Sequence, residues 1–153
     1  MVLIREYESG DFKEFLLLNN EWYTERVSQS AIKHSEYSMK KELKNSTVFL
    51  AFDAKILAGF LVCKVRVAKE TNNVHNLVEG EKYVDLDSVY VRKGYRDKGL
   101  GTKLLKHFLT EIKRVGYKKI IVSADSVNMS KLVHFYEKQK FKVLFTRLML
   151  EFK

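Results

Sequence analysis

One stretch near the middle of the chain constrains the fold most, because it joins an apolar strand, a basic glycine-bearing loop and a helix. It reads Val89-Tyr90-Val91-Arg92-Lys93-Gly94-Tyr95-Arg96-Asp97-Lys98-Gly99-Leu100-Gly101-Thr102. Leucine, phenylalanine and isoleucine then recur at helical spacing as far as Ile112. The first turn of a helix carries unpaired N–H donors and the positive end of the helix dipole, and glycine lets a bulky anion approach the backbone. The stretch therefore predicts a phosphate cradle, with an ordinary strand-to-helix turn as the alternative.

The positive charge of the chain is concentrated around this loop. The formal net charge is +9, and residues 92–119 hold ten Lys or Arg residues against two acids, which gives that segment a charge of +8. A polyanionic cofactor would be drawn to such a segment. Nucleic acid would be drawn to it as well, so a basic nucleic-acid-binding module is the alternative from another class, although none of the usual nucleic-acid motifs is present.

Composition and length indicate a single globular domain over residues 1–153, since 46% of the residues are hydrophobic. No apolar run approaches the roughly 20 residues of a membrane span, and the first residues resemble a strand more than a signal peptide. We therefore expect a cytoplasmic protein without membrane contact. The single cysteine, Cys63, lies in an apolar run, which indicates a buried structural thiol. His75 has no metal-ligand partner at useful spacing, so we expect no metal.

The hydrophobic periodicity predicts the element order β-α-α-β-β-β-α-β-α-β-β, an α/β domain with a mixed central sheet flanked by helices. The strand pattern covers residues 2–7, 47–52, 56–67, 82–91, 120–123, 141–145 and 146–152, and the helical pattern covers residues 12–22, 25–44, 100–115 and 127–139. An interruption near Lys33 predicts a kink or loop in the second helix. The polar residues 68–81 predict an exposed loop.

The loop has a more specific likeness. Residues 96–101 read Arg-x-x-Gly-x-Gly after a strand and Tyr95, and this resembles the acetyl-CoA pyrophosphate loop of the GNAT (GCN5-related) N-acetyltransferases. It matches neither a Walker loop, which continues Gly-Lys-Ser/Thr, nor a Rossmann fingerprint, which needs a further glycine before Gly99. The element order also resembles the GNAT acyl-CoA N-acyltransferase fold over essentially the whole chain. The resemblance implies an N-acetyltransferase that moves an acetyl group from acetyl-CoA directly to an amine.

A second segment resembles the family too, since residues 135–141 follow its Tyr-Glu-Lys-x-Gly-Phe pattern. The resemblance implies that Tyr136 is the general acid that protonates the departing thiolate, and a core tyrosine is the alternative. It implies cofactor binding by Val89, Tyr90, Val91, Arg96, Asp97, Lys98, Gly99, Leu100, Gly101, Thr102 and Asn128. Three residues depart from the pattern: Asn128 lies eight residues before Tyr136 where seven is usual, Lys140 replaces a common glycine, and Gly94 lies at or beside a frequent proline.

Asp85 and Asp87 are the candidate bases, because they lie two residues apart on the strand before the loop and so share a face. An alkylammonium has a pKa of about 10 and must lose a proton before it attacks. A solvated acidic face is the alternative. Family members splay this strand near residues 89–91, where a backbone N–H meets the oxyanion, and a β-bulge would open that space.

The amine acceptor is not identified by the sequence. A small amine, an aminoglycoside-like compound, a peptide N-terminus and a protein lysine all stay open. We expect the acceptor site between the first two helices, with the acids Glu21 and Glu25, and the 68–81 loop. A non-catalytic CoA-binding sensor and a homodimer also stay open.

Overall fold

The computed structural model of the chain describes residues 1–151, with Ser126 described by its backbone alone. The strands are β1 (Val2–Glu6), β2 (Thr47–Asp53), β3 (Ile56–Val67), β4 (Lys82–Val91) and β5 (Ile120–Val122). The helices are α1 (Phe12–Glu25), α2 (Glu36–Leu43), α3 (Leu100–Val115) and α4 (Met129–Glu137). Short 3-10 turns at Ser9–Asp11, Lys93–Tyr95 and Ser126–Asn128 lie before α1, α3 and α4. No helix within residues 1–151 is long and apolar enough to cross a membrane.

The five strands form one sheet in the order β1-β2-β3-β4-β5. The pairs from β1 to β4 are antiparallel, and β5 pairs with β4 in parallel. The β4–β5 pairing ends where Leu86 meets Val122, although β4 continues to Val91. The last residues of β4 therefore have β3 on one side and an open cleft on the other.

A β-bulge lies at the point where this cleft begins. Val62 pairs with Ser88 and Cys63 pairs with Leu86, so Asp87 is an extra residue in β4. Such an insertion locally disrupts the ladder and shifts the alternation of side chains between the two faces of the sheet. The bulge thereby sets which side chains of residues 89–91 face the α3 side.

Two hydrophobic clusters cover the two faces of the sheet. On one face α3 and α4 pack on the strands, and the apolar stripe of α3 is buried along its length, with Leu100, Leu104, Leu105, Phe108 and Ile112. On the other face α1 and α2 contribute Phe15, Leu18, Trp22 and Met39. Gly116, at a φ of 99°, ends α3 as its sequence position predicts. Cys63 is buried, as expected, and burial raises the pKa of its thiol to about 12.

The second predicted helix is much shorter than its pattern. Residues 26–35 form a loop, and α2 begins only after Ser35, whose side chain caps the helix by accepting from the N–H of Ser38. The interruption near Lys33 is thus a loop, and the polar side chains before Ser35 do not extend the helix.

The two closing strands predicted for residues 141–145 and 146–152 are wrong within the described residues, because none of residues 141–151 belongs to a strand. Phe152 lies outside the described residues. The edge strand β5 has only three residues, so it offers few backbone groups to a partner. Lys140 takes a left-handed conformation at a φ of 68° at the end of α4, and the apolar residues that follow are exposed, with Leu148 at 89% and Met149 at 90%.

Candidate active site

The divergence of β4 from β5 creates a cavity of about 560 Å³ between β4, the glycine loop and α4. Nearly all the predicted site residues line this cavity, and only Asp85 and Lys98 do not. The strand, the loop and the last helix, which are far apart in sequence, therefore meet at one place. The volume lies within the roughly 300–1,000 Å³ that small-molecule sites in proteins have.

The glycine loop lines this cavity, and its backbone N–H groups from Asp97 to Thr102 have no acceptor within residues 1–151. Gly99 lies just before α3 with a φ of 78°, and Asp97 takes a φ of 60°, so the loop uses the left-handed region twice. The first α-helical bond of α3 runs from the N–H of Lys103 to the carbonyl of Gly99 at 3.0 Å. The preceding N–H groups at the start of α3 are thus available to an anion, as a pyrophosphate cradle requires.

Gly101 sets the width of the cavity beside the loop. A Cβ at this position would lie 3.6 Å from Val91 and 3.7 Å from Phe135, which is ordinary contact distance. Alanine would fit there, but a longer side chain would enter the space between β4 and α4. The sequence expectation that Gly101 permits close approach is consistent with this geometry.

The charged residues after β4 are tied to α1. Arg92 pairs with Glu21 at 2.9 Å, and the Nε of Arg96 donates to the carbonyl of Val91 at 2.7 Å. Arg96 also forms an ion pair with Glu25. The guanidinium predicted to contact the pyrophosphate thus already has partners within the protein. The acids Glu21 and Glu25, which sequence analysis considered for an amine, are occupied as well.

Tyr90 completes this network, since its hydroxyl donates to Glu25 at 2.7 Å. Burial raises the pKa of Glu25, but hydrogen bonds from Tyr90 and Arg96 outweigh burial and hold that pKa below its ordinary value. Burial and the bond to Glu25 raise the pKa of Tyr90. Glu25 is therefore a carboxylate that holds the cofactor loop against α1.

Tyr136 lies in the cavity wall with 7% of its surface exposed. Its ring packs on Phe135 at 5.2 Å and on Phe141 at 5.4 Å between centroids. Burial raises the pKa of its hydroxyl to about 12. The hydroxyl thus keeps its proton at neutral pH, which a proton donor requires.

A contact that the sequence did not predict spans the mouth of the cavity. Asp125 accepts from the hydroxyl of Ser28 at 2.8 Å and from the N–H groups of Gln29 at 2.5 Å and Ser30 at 3.3 Å. Burial raises the pKa of Asp125, but these bonds and one from Val127 hold it below its ordinary value. An aspartate before a helical turn indicates a cap, and no local signal reveals partners 95 residues or more away.

Asn128 lies beside this contact and also reaches the α1–α2 loop. Its Nδ2 donates to the carbonyl of Val27 at 3.4 Å, a long bond, and its side chain lines the first cavity. The residue expected to touch the cofactor is therefore at the cleft despite its unusual spacing from Tyr136.

A second cavity, of about 420 Å³, adjoins the first. It lies between α1, α2 and the sheet and shares Trp22, Ser30, Asp87 and Ser88 with the first cavity. The loop at residues 68–81, expected at the acceptor site, instead lines a separate cavity of about 550 Å³. The cavity that adjoins the first is thus formed by the two helices, their connecting loop and the sheet.

The two candidate bases have different surroundings. Asp85 pairs with the Nε of Arg66 at 2.7 Å and lines neither of the two adjoining cavities. Asp87 lies where they meet, with 42% of its side chain exposed, and Lys64 is 3.9 Å away. Burial raises the pKa of Asp87, Lys64 lowers it, and Glu42 and Asp85 raise it, so the pKa is above its ordinary value. Asp87 therefore has the environment of a proton acceptor more than Asp85 has.

Comparison with known proteins identifies the family of the chain. The family model for the acetyltransferase (GNAT) family matches residues 12–141. The chain belongs to the GNAT acetyltransferase family. GNAT proteins are N-acetyltransferases that use acetyl-CoA, so this chain is an N-acetyltransferase, as predicted. A search of curated protein sequences gives no match to the chain.

Solved structures agree with the GNAT assignment in their fold. A ribosomal-protein-alanine N-acetyltransferase from Brucella melitensis biovar Abortus 2308 has a TM-score of 0.73 at 17% identity, with 100% of each chain covered. The aminoglycoside acetyltransferase meta-AAC0020 from an uncultured soil metagenomic sample, in complex with sisomicin, has a TM-score of 0.70 at 17% identity, covering 99% of this chain and 97% of that one.

A third neighbour is a predicted acetyltransferase with acetyl-CoA from Clostridium acetobutylicum. Its TM-score is 0.70 at 13% identity, covering 99% of this chain and 96% of that one. At such identities these likenesses show the shared fold, and they leave the acceptor of this GNAT protein open.

Within residues 1–151, no cluster of three or more His, Cys, Asp or Glu side chains could hold a metal ion.

Proposed function

We propose that this GNAT protein is a single cytoplasmic domain over residues 1–153 that acetylates a primary amine entering through the second cavity. In this proposal Asp87 takes the proton of the amine and Tyr136 gives a proton to the leaving thiolate. The observation that carries the proposal is the position of Asp87, because it lies at the junction of the cofactor cavity and the second cavity. A base must reach the nucleophile where the two substrates meet.

The residues of the first cavity fit acetyl-CoA. The free N–H groups at residues 97–102 suit a pyrophosphate, and Asn128 and the open edge of β4 suit the pantetheine arm, which has amides that can pair with a strand. Acetyl-CoA supplies an activated thioester. A backbone N–H of residues 89–91 stabilises negative charge on the carbonyl oxygen.

The proton path follows from the surroundings of the two groups. The raised pKa of Asp87 brings its basicity closer to that of the ammonium that it must deprotonate. The amine then attacks without an acyl-enzyme. As the bond between the carbonyl carbon and sulfur breaks, Tyr136, which stays protonated well above neutral pH, donates its proton to the departing sulfur.

Replacing Asp87 tests this proposal, with Asp85 as a control on the same strand. We expect Asp87→Asn to lower kcat/KM for the amine by roughly 10²-fold, the usual scale for a removed base, and to remove the acidic limb of the pH–rate profile. Asp85→Asn breaks the pair with Arg66 and removes a charge that affects the pKa of Asp87 less than burial and Lys64 do, so its turnover should stay near wild type. Thiol release measured from pH 5 to 9 gives both results. Equal activity of the two variants would contradict the role of Asp87.

The melting temperature of Asp87→Asn shows whether its lower activity comes from loss of the base or from misfolding. Folding raises the pKa of Asp87 above its ordinary value of 3.8, so the folded state favours the protonated carboxyl. This preference stabilises the fold fully below pH 3.8, and the stabilisation is lost as pH rises through the folded pKa. At neutral pH the charge therefore lowers the free energy of unfolding. Asp87→Asn should melt at or above the wild-type temperature at pH 7, and a clear loss of stability would contradict that reasoning.

A further inference from the structure

We infer that the second cavity selects a primary monoamine carried on a compact apolar body, such as an arylalkylamine, over polyamines and aminoglycosides. This inference rests on the proposed function in one respect, since it takes the second cavity as the acceptor site. It adds the chemical class of the acceptor. Shape, wall chemistry and charge of the cavity support it independently.

The buried walls of the second cavity are apolar except for Asn19, and the other polar side chains of its lining are partly or fully exposed. Phe15, Met39, Val48 and Val62 are at most 5% exposed and line it together with Trp22. Burial of a ligand's apolar surface against these buried walls is favourable. Only Asn19 and Trp22 carry polar side-chain atoms there, so the buried walls offer a polyhydroxylated ligand few hydrogen-bond partners. An aromatic or branched alkyl body therefore suits this part of the cavity.

The charge in the cavity matches one ammonium group. Its ionisable side chains are His34, Glu42, Lys64 and Asp87. Lys64 pairs with Glu42 at 2.5 Å, so the carboxylate of Asp87 is the surplus negative charge. The Nδ1 of His34 hydrogen-bonds with the hydroxyl of Ser38 at 3.2 Å. A second or third ammonium in the cavity would lose its hydration without gaining a counter-charge.

A buried carboxamide adds one polar contact among the apolar walls. Asn19 is 6% exposed, lines the cavity and donates through Nδ2 to the carbonyl of Ile32 at 3.0 Å. Among the hydrogen bonds of residues 1–151, its carboxamide oxygen has no donor. That oxygen can accept an N–H, which the neutral amine or its ammonium form would supply.

The size of the cavity agrees with a small acceptor. A volume of about 420 Å³ lies toward the lower end of the roughly 300–1,000 Å³ range for small-molecule sites. The bonds from Asp125 to the α1–α2 loop hold one edge of the site at residues 28–30. A compact amine can reach Asp87 there without displacing the loop, whereas an aminoglycoside has several rings to accommodate.

Calorimetry and thiol release on the whole chain test the inference together. The probes are 2-phenylethylamine, spermidine and sisomicin, each titrated without acetyl-CoA and then assayed with it. We expect 2-phenylethylamine to bind more tightly than spermidine or sisomicin and to have at least a tenfold higher kcat/KM. Equal or tighter binding of spermidine or sisomicin would overturn the inference. Tight binding of 2-phenylethylamine without thiol release would support the inference and contradict the proposed function.

A pair of charge variants locates the binding site. Ile32 is 63% exposed at the rim of the second cavity, and Leu17 is 69% exposed on α1 and lines none of the three cavities. Ile32→Lys adds a positive charge at the rim and should weaken 2-phenylethylamine binding at least threefold, with acetyl-CoA affinity unchanged. Leu17→Lys changes the net charge equally and should leave both affinities unchanged. Equal amine affinity in the two variants would overturn the assignment of this cavity.

Discussion

At the scale of single residues, a Phe substitution separates the role of the Tyr136 hydroxyl from that of its ring. Tyr136→Phe keeps the ring against Phe135 and Phe141 and removes only the hydroxyl. We expect turnover to fall by roughly 10²-fold, with acetyl-CoA affinity nearly unchanged, because the proton is needed as charge develops on sulfur. On one protein preparation, a thiol-release assay measures turnover and calorimetry measures acetyl-CoA affinity. The wild-type rate should show no alkaline limb from Tyr136 below about pH 10, since its pKa is about 12.

Tyr117 provides the control for this change. It is a partly buried tyrosine packed on the same core cluster, and it does not line the first cavity. Tyr117→Phe should retain wild-type turnover. Near-normal turnover in Tyr136→Phe would mean that water or another group protonates the thiolate, and a large loss of stability in that variant would leave Tyr136 as a core residue.

Lys140 carries backbone strain at the end of α4. Its φ of 68° lies in the left-handed region, which explains why family members commonly have glycine at this position. We expect Lys140→Gly to raise the free energy of unfolding by roughly 0.5–1 kcal/mol, because relief of strain exceeds the added entropy of the unfolded chain. The melting temperature should rise by about 1–4 °C. Lys138→Gly, at a φ of −57°, should instead lower it.

The motifs indicated which residues the fold brings to one cavity, but they did not indicate the partners of those side chains. Gly99, Gly101, Asn128 and Tyr136 line one cavity, as the motifs indicate. The pairing of Arg96 with α1 has no signal in the sequence, because an arginine in a phosphate loop suits either a ligand or a carboxylate. The choice depends on which acid the fold brings near, and Glu25 lies 71 residues away.

At the scale of elements, ion pairs join α1, which lines the second cavity, to the glycine loop, which lines the first. Glu25→Gln weakens the bonds to Arg96 and Tyr90 without altering the loop itself. If these bonds position the loop, acetyl-CoA should bind more weakly, by roughly three- to tenfold or about 1 kcal/mol. If Arg96 instead binds phosphate directly, release from Glu25 should tighten binding. Calorimetry with acetyl-CoA shows whether the variant binds the cofactor more weakly or more tightly than wild type.

Glu14 is the matched control for this change. It is an exposed acid in the first turn of the same helix, so Glu14→Gln alters the net charge of the protein by the same amount. We expect acetyl-CoA affinity in that variant to match wild type. A similar loss in both variants would indicate a long-range effect of charge on cofactor binding and would contradict the positioning role of Glu25.

Elements with a strong local pattern were predicted well, and those that depend on a distant partner were not. The stripe and the glycine end of α3 are encoded within the segment itself, and its bounds agree with the prediction. The alternating residues 141–150 also carry a strand pattern, but a strand needs a hydrogen-bonded neighbour, and β5 has only three residues. The family resemblance raised a β-bulge near residues 89–91, but β4 reads as a continuous strand in sequence, and only its pairing with β3 locates the extra residue at Asp87.

Over the whole molecule, the excess positive charge is partly neutralised where it is most concentrated. Within residues 92–119, Arg92, Arg96, Arg114 and Lys119 form ion pairs with acids. Lys93, Lys98 and Lys103 are exposed around the glycine loop and belong to none of the salt bridges of residues 1–151. The field that attracts a polyanionic cofactor therefore comes from these lysines more than from the arginines of the motif.

Salt dependence tests whether the position or the amount of charge matters. Lys103 lies in the first turn of α3 and Lys113 ten residues further on, about 15 Å along the helix and beyond the screening length of about 8 Å at physiological salt. We expect Lys103→Gln to raise the acetyl-CoA KM and to reduce its increase between 50 and 300 mM salt, with the amine KM little changed. Lys113→Gln lowers the net charge equally and should retain the wild-type KM and salt slope. An equal effect of both variants would show that net charge, and not the lysines beside the loop, attracts the cofactor.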